Sequence, residues 1–317
     1  MLEIFFLGTS AAIPTKKRGL PCIVVRREGE IIMLDCGEGT QMKFILSGFG
    51  VNKPMKIFIT HLHGDHVLGL PGLLFSMNIL GRSRKLEIYG PRGIKGFIEI
   101  ALKYTSGGLG YPITIVELEG EHGEIEFEEY IVKYVVTKHS VLNYAYILEE
   151  KPKPGKFNVE KALKLGLKNR RKWGLLKKGL IIKLEDGRVI RPEDVLGPPI
   201  PGIKIAYTGD GIPSDKFYEV ALGSDVLIHE ATYTSLLEDK AMSEYHATAK
   251  IAALTACRIK AKLLILTHIS ARYEKSEGKP LLEEAREIFK NTILAFDGLK
   301  ITVRRRNGKF IWEEDTL

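Results

Sequence analysis

The sequence predicts an α+β fold, a four-layer αββα sandwich, from three observations. Short β-branched or aliphatic runs end at Gly, Asp or His, pairs of such runs are followed by segments of helical period, and this succession occurs twice along the chain. With 317 residues, 44% of them hydrophobic, the chain has enough apolar surface for a sizeable core and is neither disordered nor fibrous.

The first half supplies strands at residues 2–7, 22–27, 31–34, 56–60, 85–89 and 113–117, with helices at 67–80 and 93–104. The second half supplies strands at 130–137, 144–149, 203–208, 226–228, 263–267 and 300–303, with helices at 214–222, 248–259 and 281–290. One segment, 151–202, breaks the rhythm. It opens KPKPGKFN, runs through VEKALKLGLKNRRKWGLLKKG, forms a hairpin around Asp186-Gly187 and closes with GPPIPG. Sheet-like runs flank it on both sides, so it reads as an arm inserted into a single domain spanning 1–317. Residues 151–200 hold 14 of the 47 basic residues and 5 of the 39 acidic ones, a net of +9 against +8 for the whole chain. The remainder is nearly neutral, so the positive excess, which favours an anionic partner, belongs to the arm.

Composition narrows the class. Cys22, Cys36 and Cys257 form no CxxC pair, which points away from a disulfide framework or zinc ribbon and toward a reducing cytoplasm. The N-terminus MLEIFFLG lacks a basic leader region. The longest apolar stretch, residues 67–81, is interrupted by Gly69, Pro71 and Gly72 and is shorter than the ~20 residues of a membrane span. A cytoplasmic protein with no membrane partner is therefore expected. Gln41 is the only glutamine in a chain rich in Lys, Arg and Glu, a bias of heat-adapted proteins that suggests a thermophilic source.

The sharpest chemical signal is His61-Leu62-His63-Gly64-Asp65-His66, directly after the strand KIFIT. Residues two apart in extended chain point to one side, so His61 and His63 can grip one ion while Asp65 and His66, where the chain turns toward a helix, reach a second. Further ligand types follow later strands: His139 after YIVKYVVT, Asp210 after IKIAYTG and His268 after KLLILT. The assignment inferred is His61, His63 and His139 on the first ion, Asp65, His66 and His268 on the second, and Asp210 bridging both. Imidazole and carboxylate donors suit Zn²⁺ or a similar divalent ion. Two such ions about 3.5–4 Å apart activate a hydroxide and stabilise charge on a phosphoryl group, so hydrolysis is the predicted chemistry. Asp65 can also orient that hydroxide or accept its proton.

Glu230, in the HEAT that follows VLI, and His246, which opens HATAKIAALTACRI, form a second candidate pair. A carboxylate beside an imidazole keeps it charged and oriented as a proton donor, and a structural hydrogen bond between the two is the alternative. His229 reads as structural, and His122, in the acidic turn EGEHGE, receives no role. Asp35 reads either as a turn residue before Gly37 or as a support for a ligand histidine.

HLHGDH at 61–66, with His139, Asp210 and His268, resembles the metallo-β-lactamase superfamily of dinuclear hydrolases. FLGTSAAIPT, LDCGEGTQ, HEAT at 229–232, HATA at 246–249, HISARY ending at Tyr273 and the basic insertion are similar, more closely, to the ribonuclease Z family, endonucleases that remove the 3′ trailer from precursor tRNA. The resemblance implies a metallo-β-lactamase fold with an inserted basic arm, two Zn²⁺ ions per chain, a homodimer, and cleavage that leaves a 3′-hydroxyl on the tRNA. It also implies that Glu230 and His246 assist protonation of the leaving 3′ oxygen and that Arg272 contacts RNA near the scissile phosphate. The chain departs from the family in the first loop, where Arg18-Gly19 stands in place of Arg-Asn.

Selecting tRNA requires a surface that follows a phosphate backbone outside the pocket. Lys156, Lys161, Lys164, Lys168, Arg170, Arg171, Lys172, Lys177 and Lys178 supply the charge for one. Trp173 and Phe157 either stack on RNA or anchor the arm to itself. Two competing readings stand beside this one. A hydrolase of the same fold acting on a small ester leaves the arm unexplained, and an RNA-binding protein with a structural metal leaves Glu230 and His246 without a task.

Overall fold

Alternation along the strands sorts the core into layers. In β1 (Leu2–Gly8), Leu2, Ile4 and Phe6 enter one apolar layer while Phe5 and Leu7 enter another. In the computed structural model, which describes residues 1–105, 108–306 and 308–317, β1 shares a sheet with β2 (Cys22–Arg27), β3 (Glu30–Leu34), β4 (Met55–Phe58), β5 (Leu86–Gly90) and β6 (Ile113–Glu117). A second sheet begins with β7 (His122–Glu126), β8 (Tyr130–Thr137) and β9 (Asn143–Glu150). After the small hairpin of β10 (Ile182–Lys183) and β11 (Val189–Ile190), it continues with β12 (Lys204–Tyr207), β13 (Val226–Glu230), β14 (Leu263–Thr267) and β15 (Thr292–Leu294). Strands β16 (Leu299–Arg306) and β17 (Lys309–Thr316) return to the first sheet, whose order is β17-β16-β1-β2-β3-β4-β5-β6. The second sheet runs β15-β14-β13-β12-β9-β8-β7.

The layer between the sheets takes Leu2, Ile4 and Phe6 from one side and Tyr146, Tyr207, Ile228 and Ile265 from the other. Outside the first sheet, Phe5 and Ile57 pack under helices Gly69–Ile79 and Ile94–Thr105 through Leu70, Leu73, Ile94 and Ile98. Outside the second, Leu227 and Leu264 pack under helices Asp215–Ala221, Ala249–Arg258 and Lys279–Ile288. This is the αββα order. Ser214 and Thr248 cap two of these helices, accepting from the amides of Phe217 at 3.3 Å and Ile251 at 3.2 Å.

The helix expected at 67–80 is two helices, Gly64–Val67 and Gly69–Ile79. A side chain at Gly69 would run into the carbonyl of Gly37, so the second helix starts where glycine lets it approach that loop. Three strands, β7, β15 and β17, were not expected, and each lies at a sheet edge. Their sequences, HGEIE, TIL and KFIWEEDT, are charged or very short, as unpaired edges tend to be. The EGEHGE segment, expected to be an acidic turn, therefore leads into an edge strand on which His122 is exposed.

Chain contacts divide the molecule into two compact units: Met1–Glu149 with Ile203–Arg304 and Phe310–Leu317, and Glu150–Gly202 with Arg305–Lys309. The second unit has its own core of Ala162, Leu167, Leu176, Ile182, Ile190 and Val195. Asn158 and Asn169 cap its helices Val159–Lys164 and Arg170–Lys177, and Gly187 takes the positive φ that its hairpin turn requires. Among the described residues, no helix is long and apolar enough to cross a membrane.

Candidate metal centre

Parallel strands deliver their carboxyl ends to one edge of the sandwich. Beyond β4, Ile59 leads to Thr60 and His61; β12 leads to Asp210, β13 ends on Glu230, and β14 is followed by His268. The register of β13 against β14 sets Glu230 opposite Thr267. Two sets of ligand atoms gather there, each within 4.8 Å: His61, His63 and His139, and Asp65, His66, Asp210 and His268. One oxygen joins them, since Oδ2 of Asp210 lies 3.2 Å from Nε2 of His268, 3.3 Å from Nε2 of His66 and 3.8 Å from Nε2 of His61.

The outer ring nitrogens are held from behind. Nδ1 of His66 lies 2.8 Å from Asp35, that of His61 2.9 Å from the Thr60 hydroxyl, that of His268 2.9 Å from the Thr232 hydroxyl, and that of His139 3.0 Å from the Tyr245 carbonyl. Each of these four rings thus turns Nε2 inward. His63 presents Nδ1 instead, 3.1 Å from Nε2 of His61 and 3.2 Å from that of His139. Asp35 has left-handed backbone (φ 60°) and is fully buried. It accepts from the Thr60 amide at 2.7 Å and the Tyr207 hydroxyl at 2.8 Å, so it is an organiser of the site rather than a turn residue.

The electrostatics are those of a cation site. Burial pushes His61 well below its ordinary pKa, with the neighbouring His66 adding to the fall. Burial opposes charge on His66 too, but Asp210 and Asp35 outweigh it and hold the ring well above the usual range. Burial would likewise raise Asp65 and Asp210, yet the histidines around them keep both carboxyls well below the usual carboxylate range. Nε2 of His66 and Oδ1 of Asp210 are buried without a hydrogen-bond partner. Orphaned donor atoms on ligand-type side chains facing one space fit divalent ions.

His246 sits beside this cluster, its ring 5.4 Å from that of His268 and 5.3 Å from that of His139. Its Nδ1 lies 3.1 and 3.2 Å from the oxygens of Glu230. Burial works against its charge, but Glu230 prevails and pushes its pKa up to about 9. Glu230 is fully buried and also accepts from the Gly211 amide and, at 2.6 Å, from the Thr232 hydroxyl. Glu230, His246 and His268 themselves lie within metal-ligand reach of one another. With both Glu230 oxygens already engaged, the Glu230 and His246 pair is better suited to hold a proton. His229 follows the alternation to the helix-covered face, its Nδ1 2.7 Å from the Glu230 carbonyl.

Arg272 is exposed on the short helix Ala271–Tyr273, its guanidinium 4.6 Å over the Tyr233 ring, which lies 6.3 Å from that of His246. At the Arg18-Gly19 departure, Lys43 occupies the space a side chain at 19 would take and pairs with Asp297.

In the arm, Lys156, Lys161, Lys164, Lys168, Arg170, Arg171, Lys177 and Lys178 are exposed and Lys172 is half-buried. None of the nine has an acidic partner within 4 Å among the described residues. Phe157 and Trp173 stack on each other at 5.2 Å, and the Trp173 indole donates to the Leu167 carbonyl at 2.8 Å, so these rings anchor the arm to itself. Sequence reasoning missed Arg306 and Lys309, exposed in the same unit but distant in the chain. It also missed Thr60, which adjacency to His61 would have marked, Thr232, two residues after Glu230, and Tyr245, which acts through its backbone and left no signal.

A sequence-family profile described as Anti-Pycsar protein Apyc1 matches residues 2–146. A protein of Nitrosopumilus maritimus named ribonuclease Z is 43% identical over 303 residues, covering 96% of this chain and 100% of its own. One of Bacillus subtilis with the same name is 41% identical over 307 residues, with the same coverage. Among solved structures, the short form of human tRNase Z matches with a TM-score of 0.70 at 28% identity, over 95% of this chain and 98% of that one. A metallo-β-lactamase fold protein of Bacillus subtilis, 17% identical, matches over 95% of this chain and 99% of its own with a TM-score of 0.66, which speaks to the fold alone.

Proposed function

This chain belongs to the ribonuclease Z family, and from that premise we propose that it is a zinc-dependent endoribonuclease that removes the 3′ trailer from precursor tRNA. The observation that carries the reading is the pair of donor groups joined through Asp210, with a charged His246 beside them. His61, His63 and His139 would hold one zinc ion and Asp65, His66 and His268 the other, with Asp210 shared. When bound, two such ions supply an activated water nucleophile and stabilise charge on the phosphoryl oxygens. Asp65 orients that water and accepts its proton. The bond between phosphorus and the 3′ oxygen breaks, His246 passes its Nε2 proton to that oxygen, and the water oxygen stays on the trailer's 5′ phosphate. The tRNA keeps a 3′-hydroxyl, and the exposed Arg272 would contact RNA beside the cut. End-mapping of the products from a purified precursor tests this, since a 3′-phosphate on the tRNA would rule the mechanism out.

His246 acts as an acid only while protonated, that is, below its raised pKa of about 9. Cleavage is therefore expected to fall as pH rises through about 9. Glu230→Gln removes the charge that raises it, so the falling limb should move toward the ordinary histidine range of about 6.5, with a rate loss of about 30-fold at pH 8. A profile of kcat against pH that does not move in Glu230→Gln would contradict the role given to His246.

A homodimer is part of this reading. Leu46, Ile79, Ile100 and Tyr104 are 77, 69, 63 and 77% exposed on neighbouring helices Thr40–Leu46, Gly69–Ile79 and Ile94–Thr105, with Met42 and Phe75 also exposed there. A second copy meeting this face would bury apolar surface that a monomer leaves in water. Sedimentation of the parent chain should give a dimer at micromolar concentration, and of Leu46→Glu/Ile79→Glu a monomer. A monomeric parent would refute it. A reducing cytoplasm, which suits the free Cys22, Cys36 and Cys257, and a thermophilic source complete the proposal.

A further inference from the structure

We propose that Asp297 is a positioning residue for the Asp65, His66, Asp210 and His268 group. The inference rests on the dinuclear reading above and concerns how half of that centre is held.

The loop of residues 9–19 touches this group twice. The Ala12 amide donates to Oδ2 of Asp65 at 3.0 Å. The loop also pairs with the residue after His268: Ile269 N–H donates to the Thr9 carbonyl at 2.8 Å, and Ala11 N–H to the Ile269 carbonyl at 3.0 Å. Ala12 (φ 58°) and His268 (φ 56°) both have left-handed backbone, which a non-glycine residue keeps only where its surroundings hold it.

Asp297 supplies that restraint at both ends of the loop. Its Oδ1 accepts from the Thr9 hydroxyl at 2.7 Å, and its Oδ2 accepts from the Gly19 amide at 2.6 Å and pairs with Lys43. The Arg18 guanidinium, 8% exposed, donates to the Thr9 hydroxyl and the Ala295 carbonyl, both at 2.6 Å. One carboxylate thus closes a loop that presents an amide to Asp65 and fixes the backbone beside His268. No comparable link runs from this loop to His61, His63 or His139 among the described residues. A purely structural knot would affect both halves of the centre alike, and a positioning residue would affect one.

Cobalt(II) titration of the metal-free parent, Asp297→Asn and Thr9→Val chains tests this, read by the d–d absorption of each equivalent and by competition with a chelator. Thermal melting of the metal-free chains is the control. One of the two equivalents should bind about 10–100-fold more weakly in Asp297→Asn, and about tenfold more weakly in Thr9→Val, while the other matches the parent and the melting temperature holds within a few degrees. Equal weakening of both equivalents, or of neither, would overturn the proposal. If Asp297→Asn fails to fold, Thr9→Val carries the test alone. A parent chain that takes up fewer than two equivalents would remove the dinuclear reading and this proposal with it.

Discussion

Asp210→Ala is expected to abolish cleavage of precursor tRNA, lowering kcat/KM by at least about 10³-fold, roughly 4 kcal/mol of transition-state stabilisation. Among the described residues, no other side chain reaches His61, His66 and His268 with a single oxygen, as Asp210 does at 3.8, 3.3 and 3.2 Å. On the proposed assignment, its loss removes a ligand from one group and the link between the two. It also removes a negative charge from a pocket where buried imidazoles would otherwise face one another. Metal content should fall with activity, and elemental analysis of the folded variant checks it. His63→Ala should also abolish cleavage, but it leaves Asp65, His66, Asp210 and His268 in place, so it should retain about one ion per chain. If Asp210→Ala keeps two ions and ordinary cleavage, Asp210 does not join the centre.

Deleting residues 156–196 should separate chemistry from substrate selection. The segment carries 12 basic and 5 acidic residues, so its removal takes the net charge from +8 to +1. It also has a self-contained core, and its base is a narrow stem. Gly197 N–H donates to the Lys156 carbonyl at 2.9 Å, and Asn158 N–H to the Val195 carbonyl at 2.7 Å. Gly155 and Gly197 therefore lie close enough to be joined directly. Hydrolysis of a small phosphodiester such as bis(p-nitrophenyl) phosphate should persist within a fewfold. Cleavage of precursor tRNA should fall by about 10²–10³ at physiological salt, mostly through KM, and its salt dependence should flatten, because the lost contacts are to phosphates. Unchanged tRNA cleavage would show that the arm does not recognise the substrate.

What could be read from the sequence follows physical signal strength. Interior strands such as β1, β12 and β14 are dense apolar runs and were found, whereas β7, β15 and β17 lie at edges where charge or brevity hides the period. The residues named as ligands stand next to strand ends, and a strand end is a place that sequence can locate. The partners behind them are harder to find. Asp35 left two readings open because its neighbours Cys36 and Gly37 look like a turn, and only the fold brings His66, Thr60 and Tyr207 around it. Tyr245 holds His139 through a carbonyl, which every residue possesses. Asp297 meets Thr9 across 288 residues, a separation that no local pattern reports.

On the proposed mechanism, two metal ions held jointly drive hydrolysis of precursor tRNA. The most direct test is to strip the chain with a chelator and return zinc stepwise while following trailer release. Activity should be absent without metal, stay low up to one equivalent and reach its maximum at two. Cleavage by the stripped chain, or full activity at one equivalent, would contradict it.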